Sequence, residues 1–200
     1  MAFLSMTFAR AGGERLAAWR IAAAWLVASA LCVVPAFLAA QAPRPSEYQV
    51  KAVFLFNFAQ FVDWPPEAVA DSQAPLVIGV LGGDPFGDLL DATIRGEHRG
   101  ARSFVVRRYQ HVEDIKSCDI LFIDRSAGDR PEGVLAGLKN RPILTVSDAE
   151  GFAEHGGMIG FVTDRNRIRL KINLGVAQAA HLTISSKLLR VAEIINPAGS

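Results

Sequence analysis

Apolar runs of strand length alternate with helical patterns through the middle of the chain. The runs lie at residues 75–82, 119–124 and 142–148, and residues 102–110 read as a further strand. Helical patterns separate them, at residues 84–96, 111–117 and 130–140. Strands that are apolar on both faces and alternate with helices predict a mainly parallel sheet covered on both sides. The predicted fold class is α/β, a compact single-domain α/β/α sandwich with a mainly parallel central sheet.

The pattern changes near the carboxyl end of the chain. Residues 158–164 and 166–173 read as two strands joined by a polar turn, which predicts a C-terminal antiparallel hairpin. In the second strand apolar residues face one side and basic residues the other, namely Ile168, Leu170 and Ile172 against Arg167, Arg169 and Lys171. Two short helices are predicted to follow, at residues 174–182 and 185–195, the second capped by Ser185 or Ser186.

A segment rich in aromatic residues, residues 47–66, precedes the first apolar run. Ser46 is a suitable N-cap, and Trp64-Pro65-Pro66 ends the helix because proline cannot continue its hydrogen bonds. Apolar residues recur at helical spacing, at Val50, Val53, Phe54, Phe58, Phe61 and Val62. We interpret the segment as a core helix with a partly exposed aromatic edge around Phe56, which would serve a dimer or another partner.

The first forty residues have the order of a secretory signal. Arg15 and Arg20 precede a long uncharged apolar run, which small residues end. We expect a signal peptide at residues 1–40, cleaved after Ala40 or Ala42, a linker at 41–46 and the α/β domain at 47–196. An uncleaved membrane anchor is the alternative, since the run is long enough to span a bilayer. Cleavage would leave the chain in the periplasm.

The net charge and the cysteine content argue against a nucleic-acid binder and against an intrachain disulfide. The formal net charge of +1 opposes a non-specific nucleic-acid binder, which needs a surplus of Lys and Arg. Of the two cysteines, Cys32 lies in the predicted signal peptide, so Cys118 remains alone and no intrachain disulfide is expected.

No catalytic or metal-binding pattern stands out. The GGDPFG loop could face a phosphate, but Asp84 as predicted helix cap and Pro85 at the first helical position both disfavour an anion. The four histidines are scattered without metal-ligand spacing. We therefore expect no enzymatic activity, no cofactor and no metal.

The basic row of Arg165, Arg167, Arg169 and Lys171 is the most distinctive surface feature that the sequence predicts. It would meet an acidic partner or an anionic ligand. The alternative is protection of an edge strand against aggregation, which a row of charges also provides. Phe152, flanked by glycines, is a second candidate contact or a loop residue packed over the core.

Together these segments resemble the YfiR family. The resemblance runs from Tyr48 to Ile195 and is carried by YQVKAVFLFNFAQFVDWP, PLVIGVLGGDPFG, SCDILFID, PILTVSDAEGFAEHGGMIGFV, RIRLKINL and LTISSKLLRVAEII. It implies a periplasmic α/β domain, expected as a homodimer, that represses a YfiN-type inner-membrane diguanylate cyclase. A YfiB-type outer-membrane lipoprotein would relieve the repression. Disulfide control, which the family also implies, has no second cysteine here beside Cys118.

Two other functions compete with a regulator of cyclic-di-GMP synthesis. One is a periplasmic small-molecule-binding sensor that captures an amino acid or similar anion beside the basic row. The other is a hydrolase whose site is assembled only in space. On the regulator hypothesis, the residues expected to contact the partner are Phe56, Phe152, Arg167 and Arg169.

Overall fold

An eight-stranded mixed sheet forms the centre of the computed structural model, which describes residues 46–69, 73–127, 131–165 and 167–195. These residues belong to the unit Pro45–Ser200. The predicted signal peptide and its cleavage point lie outside the described residues. Because the unit Pro45–Ser200 carries its own hydrophobic core, we expect residues 45–200 to fold independently.

The described elements follow one another along the chain as strands, α-helices and short 3₁₀ turns. The strands are β1 (Val62–Asp63), β2 (Leu76–Leu81), β3 (His98–Arg99), β4 (Arg102–Tyr109), β5 (Ile120–Ile123), β6 (Leu144–Ser147), β7 (Ile159–Asp164), β8 (Arg167–Asn173), β9 (Thr183–Ile184) and β10 (Glu193–Ile195). The helices are α1 (Glu47–Phe61), α2 (Asp88–Ile94), α3 (Pro131–Gly137), α4 (Leu174–Ala179) and α5 (Ser186–Leu189). The 3₁₀ turns are Pro66–Val69, Val112–Asp114 and Arg125–Ala127.

Parallel pairing dominates the central sheet. Its order is β10-β8-β7-β6-β5-β2-β4-β3, with β1 and β9 paired separately as a small antiparallel sheet. The neighbours from β7 through β6, β5 and β2 to β4 are parallel. The β7–β8 and β3–β4 pairs are antiparallel. The predicted mainly parallel sheet and the predicted C-terminal hairpin are both confirmed.

Each face of the sheet is covered by a separate hydrophobic cluster. Alternate strand residues such as Ile78 and Phe122 point to one face and pack beneath α1, α2, α4 and α5. Their neighbours in sequence, such as Leu121 and Ile123, point to the other face and pack beneath α3 and the adjoining turns. This arrangement explains why the central strands are apolar along their whole length, and it confirms the α/β/α class.

Helix α1 begins at a complete capping box. The Ser46 hydroxyl accepts a hydrogen bond from the Gln49 backbone, and the Gln49 side chain accepts one from the Ser46 backbone. The buried residues of the helix are Lys51, Ala52, Leu55, Phe58 and Ala59. The predicted core face was wrong in part, because Val53 is 47 % exposed while Lys51, a basic residue, is fully buried.

A charged network ties the amino-terminal half of α1 to the loop after β6. The Lys51 ammonium lies 2.6 Å from Asp148 Oδ2 and 2.5 Å from Glu47 Oε1. The Tyr48 hydroxyl donates to the same Asp148 oxygen at 2.9 Å, and Arg125 reaches Asp148 from the 3₁₀ turn after β5. The helix is therefore held in position over the carboxyl ends of β5 and β6 by charge as well as by packing.

Three predicted helices differ from the observed elements. The helix predicted from Asp84 begins only at Asp88, because the Asp84 carboxylate closes a tight turn on the amides of Phe86 and Gly87. Residues 111–117 contain a single 3₁₀ turn, Val112–Asp114. The final helix ends at Leu189, and residues 193–195 instead pair with β8 as β10. The predicted Ser185 cap is confirmed, since its hydroxyl accepts from the Lys187 amide.

Within the described part of the chain, every helix is too short or too polar to cross a bilayer.

Replacing Lys51 by methionine should strongly destabilise the domain. Methionine keeps most of the buried volume but removes the main partner of the buried Asp148 carboxylate, and breaking one side of a buried ion pair costs about 3 kcal/mol or more. Urea unfolding of residues 45–200 at neutral pH measures the loss. Lys187→Met, at an exposed position of α5, is the matched control and should change stability little. Equal effects of the two substitutions would contradict a stabilising role for the pair.

Candidate functional site

The β7–β8 hairpin presents a charged outer face. In its register Arg167 lies opposite Asp164, Arg169 opposite Val162, and Lys171 opposite Gly160. Phe161, Leu170 and Ile172 point to the other side, into the cluster beneath α1. We call the side formed by Val162, Asp164, Arg167, Arg169 and Lys171 the hairpin face.

The basic side chains of the hairpin face differ in how far they are neutralised. Arg169 lies 3.3 Å from Asp164, and both side chains are largely exposed to water. Lys171 lies 2.5 Å from Glu154; this contact lowers the pKa of Glu154 and raises the pKa of Lys171. Arg167 is exposed and forms no ion pair with any described residue. Positive charge is therefore concentrated at the turn end of the hairpin.

Strand β8 has a free edge along the part that carries Arg167 and Arg169, because among the described residues only β7 pairs with it there. Strand β10 pairs with β8 only at Lys171, Ile172 and Asn173. Among the described residues, the first four residues of β8 have a neighbour on one side only, β7. The edge-strand interpretation thus applies to the first half of β8, and an exposed strand edge is itself a site where a partner's backbone can pair.

A groove of about 400 Å³ lies between the hairpin face and the loop after β6. Among its lining residues are Arg125, Glu150, Glu154 and Lys171. Both basic residues of the groove are already paired, Arg125 with Asp148 and Lys171 with Glu154. Among its described lining residues the groove consequently offers a small anion no unpaired cation, and its exposed charges suit a partner surface better than a captured anion.

Phe152 lies beneath this groove and is only 1 % exposed. Its ring covers Gly157 so closely that a Cβ atom on Gly157 would lie 2.1 Å from Phe152 Cε1. Of the interpretations open at Phe152, the structure supports the loop residue packed over the core. A buried ring offers no surface for direct contact, so Phe152 supports the loop that lines the groove.

Phe56 lies on the other face of the sheet, away from the hairpin face. Its ring packs edge-on against Phe104 of β4 at a centroid distance of 5.2 Å, and it is partly buried. Four strands, β7, β6, β5 and β2, lie between β8 and β4 in the sheet. The structure therefore brings Phe152, Arg169 and Lys171 into one region and leaves Phe56 in another.

The sequence analysis did not identify two residues at or beside the hairpin face. Val162, 37 % exposed, lies opposite Arg169 and adds an apolar contact to the basic row. The strand alternation could have identified it once the register was known. Glu154, which pairs with Lys171, lies in the loop after β6, and no local pattern connects that loop to β8.

The charged network beside the groove keeps Asp148 ionised. Burial alone would raise the pKa of Asp148, but hydrogen bonds from Lys51 and Arg125 outweigh it and hold the pKa below its usual range. Burial, together with the hydrogen bond to Asp148, raises the pKa of Tyr48 to about 12. The hydrogen bond from Lys51 also lowers the pKa of Glu47. Glu47 and Asp148 are therefore ionised and Tyr48 is neutral at neutral pH, as a structural network requires.

The glycine loop after β2 is occupied by the chain's own groups. Asp84 accepts hydrogen bonds from the amides of Phe86 and Gly87, and Arg108 binds its second oxygen at 2.6 Å. The amides that could have faced a phosphate are therefore in use. Within the described ranges, no group of three or more His, Cys, Asp or Glu side chains is arranged to hold a metal ion.

Comparison with models of known protein families identifies a match. The family model described as YfiR/HmsC-like matches residues 48–193, which is most of the chain and nearly all of its described part. A search of curated proteins finds no match.

Stability should fall with acid through Asp148. Because its pKa is lower in the folded chain than the ordinary value of about 3.9, its stabilising effect is complete above that pH and is lost as the pH falls through the folded pKa. We expect the unfolding free energy of the wild type to fall more steeply below about pH 4 than that of Asp148→Asn. Urea unfolding at a series of pH values measures both slopes.

Glu150→Gln provides the control for this experiment. Glu150 is exposed, lies two residues away and forms no ion pair with a described residue, so its replacement should leave the acid slope of the wild type intact. If Asp148→Asn and the wild type lost stability in parallel, the lowered pKa of Asp148 would be refuted.

Proposed function

The chain belongs to the YfiR/HmsC-like family, and from this premise we propose that it is a non-enzymatic periplasmic regulator that binds the extracytoplasmic domain of a membrane diguanylate cyclase. The family is a regulatory one, periplasmic and connected with diguanylate cyclase signalling. In the proposal, binding represses cyclic-di-GMP synthesis. A YfiN-type inner-membrane cyclase is the partner, and a YfiB-type outer-membrane lipoprotein competes for the regulator.

The observation that carries the proposal at the level of residues is the hairpin face. It combines exposed Arg167 and Arg169 with exposed Val162 beside an unpaired strand edge. An apolar contact beside an excess of positive charge is suited to an acidic protein surface, where charges steer association and the apolar centre holds the complex. We propose Arg167, Arg169 and Val162 as contacts with the cyclase.

Phe56 is the proposed contact of a second surface. It lies on the face of the sheet that carries α1, so it would not touch the same partner region as Arg167. Val53, one turn earlier on α1, is also exposed. We propose that this side of α1 forms the contact of a homodimer, which leaves the hairpin face of each copy free for the cyclase.

Repression needs a preference for one state of the cyclase. A regulator that bound the active and inactive arrangements equally well would shift nothing, however tightly it bound. To lower the ratio of active to inactive cyclase about tenfold, it must bind the inactive arrangement more tightly by about 1.4 kcal/mol. A few charged contacts made in one arrangement only would supply a difference of this size.

Deleting the chain should raise cyclic-di-GMP in cells that express the cyclase. Complementation with the full chain should restore the original level, while a version that lacks residues 1–40 should not, because it would remain in the cytoplasm. Cyclic-di-GMP is measured in cell extracts. An unchanged level after deletion, with the cyclase shown to be present, would refute the proposed repression.

Reversing the charge of the hairpin face should slow binding to the cyclase. With Arg167→Glu and Arg169→Glu together, we expect the association rate with the purified extracytoplasmic domain to fall about tenfold, because rim charges act mainly on encounter. Surface-based binding kinetics at low salt measure it. The matched control is Lys187→Glu with Arg190→Glu, two exposed basic residues of α5 and its C-cap.

The control pair should bind at the wild-type rate. If both pairs slowed association equally, the effect would be one of net charge and the hairpin face would not be the contact. If neither pair of substitutions slowed association, the role of Arg167 and Arg169 would be to protect the edge of β8 against aggregation.

A further inference from the structure

A second cavity, of about 510 Å³, lies at the amino-terminal ends of the parallel strands, whereas the groove adjoins the loop after the carboxyl end of β6. It opens where β2, β5 and β6 begin, since Pro75, Asp119 and Ile143 each immediately precede one of these strands and all line it. Its volume lies within the range of about 300 to 1,000 Å³ that is usual for small-molecule sites.

Positive charge is in excess around this cavity. Four of its lining residues are basic, Arg102, Arg107, Lys116 and Arg141, and one is acidic, Asp119. Asp119 is already paired with Arg102 at 2.9 Å, and both side chains are mostly buried. The other three basic residues have no carboxylate within ion-pair distance among the described residues. A concave surface lined by charges of one sign raises the local concentration of the opposite ion.

Two of the unpaired cations are positioned by hydrogen bonds to the chain. Arg141 donates through Nη2 to the carbonyls of Ile115 and Lys116, at 2.5 and 3.3 Å, and Arg107 donates to the Ser117 hydroxyl at 3.4 Å. Arg107 also hydrogen-bonds the Tyr109 side chain, and neither guanidinium has a carboxylate within ion-pair distance among the described residues. Because each guanidinium carries five N–H donors, some of them stay available for a ligand. Planar guanidinium groups with unused donors are suited to carboxylate and phosphate oxygens.

The rest of the described lining is mainly apolar, and among the described residues it carries no further negative charge. Trp64, Ala74, Pro75 and Pro142 contribute apolar surface, and the Trp64 indole is fixed by a hydrogen bond from Nε1 to the Asp119 carbonyl at 3.2 Å. Cys118 also lines the cavity. Burial raises the pKa of its thiol to about 12, so it stays neutral at physiological pH.

We propose that this cavity binds a small organic anion, a phosphate or carboxylate carried on a compact apolar group. The anionic end contacts Arg107, Lys116 and Arg141, and the apolar group contacts the Trp64 and Pro142 side. Such a ligand neutralises cations that the chain leaves unpaired. The inference does not depend on a cyclase partner, because the cavity and the hairpin face share no residue.

Phenyl phosphate is the probe that tests the site. Residues 45–200 contain a single tryptophan, Trp64, so the tryptophan fluorescence of this segment comes from a residue that lines the cavity. We expect a saturable fluorescence change with phenyl phosphate, with an affinity that falls as ionic strength rises. Benzoate should bind through the same residues, phenol should bind at least tenfold more weakly, and the ratio of benzoate to phenyl phosphate identifies the preferred anionic group.

Paired variants distinguish the cavity from general charge. Arg107→Gln with Lys116→Gln should weaken phenyl phosphate at least tenfold while leaving the circular dichroism spectrum unchanged, since both side chains are exposed. Arg167→Gln with Arg169→Gln removes equal charge from the hairpin face and should leave the affinity intact. Absence of saturable binding at millimolar phenyl phosphate, equal binding of phenol, or equal effects of the two variants would each overturn the proposal.

Discussion

The buried ion pair between Lys51 and Asp148 fixes the position of α1, and most of the larger hydrophobic cluster depends on that helix. Lys51 is fully buried, and its two carboxylate partners come from its own helix and from the end of β6. A buried charge is tolerated only with such partners, so α1 cannot rotate or slide without leaving an ammonium unpaired in the interior. The pair thereby specifies that the side of α1 that carries Leu55 and Phe58 faces the sheet.

The sequence predicted the parts of the fold that depend on local pattern. The central strands were recognisable because residues buried on both faces form uninterrupted apolar runs, as in 119–124, and the hairpin because Arg167 to Lys171 alternates strictly. The prediction was wrong where contacts between residues distant in the sequence determine burial or secondary structure. A lysine in an aromatic helix is normally exposed, and only Asp148 in a remote loop reverses this for Lys51. Residues 193–195 have helical spacing, yet the open side of β8 draws them into the sheet.

The candidate sites were predictable to a smaller extent, for the same reason. Arg167 and Arg169 could be identified as exposed because their strand neighbours are apolar. Phe152 is buried because its ring packs over Gly157. The sequence could not predict this contact, because the residues between the two form an irregular loop without a periodic pattern. The cationic cavity joins residues from five separate segments, and none of them is conspicuous alone. Its position also differs from the usual one in α/β folds, where ligands bind at the carboxyl ends of the strands. At that end of β2 and β5, the Gly83 amide donates a hydrogen bond to the Ser126 hydroxyl.

The long reach of the α1 network has a consequence for how the chain acquires its structure. Asp148 follows Lys51 by 97 residues, a stretch that a ribosome needs roughly 5–20 s to add. During that interval the helix with the highest density of aromatic side chains has no permanent partner, which is the condition that favours aggregation. We expect the charge of Lys51 to face water during that interval and to oppose self-association of the surface in which it is later buried. The same side chain would then protect the nascent segment before it fixes the position of the folded helix.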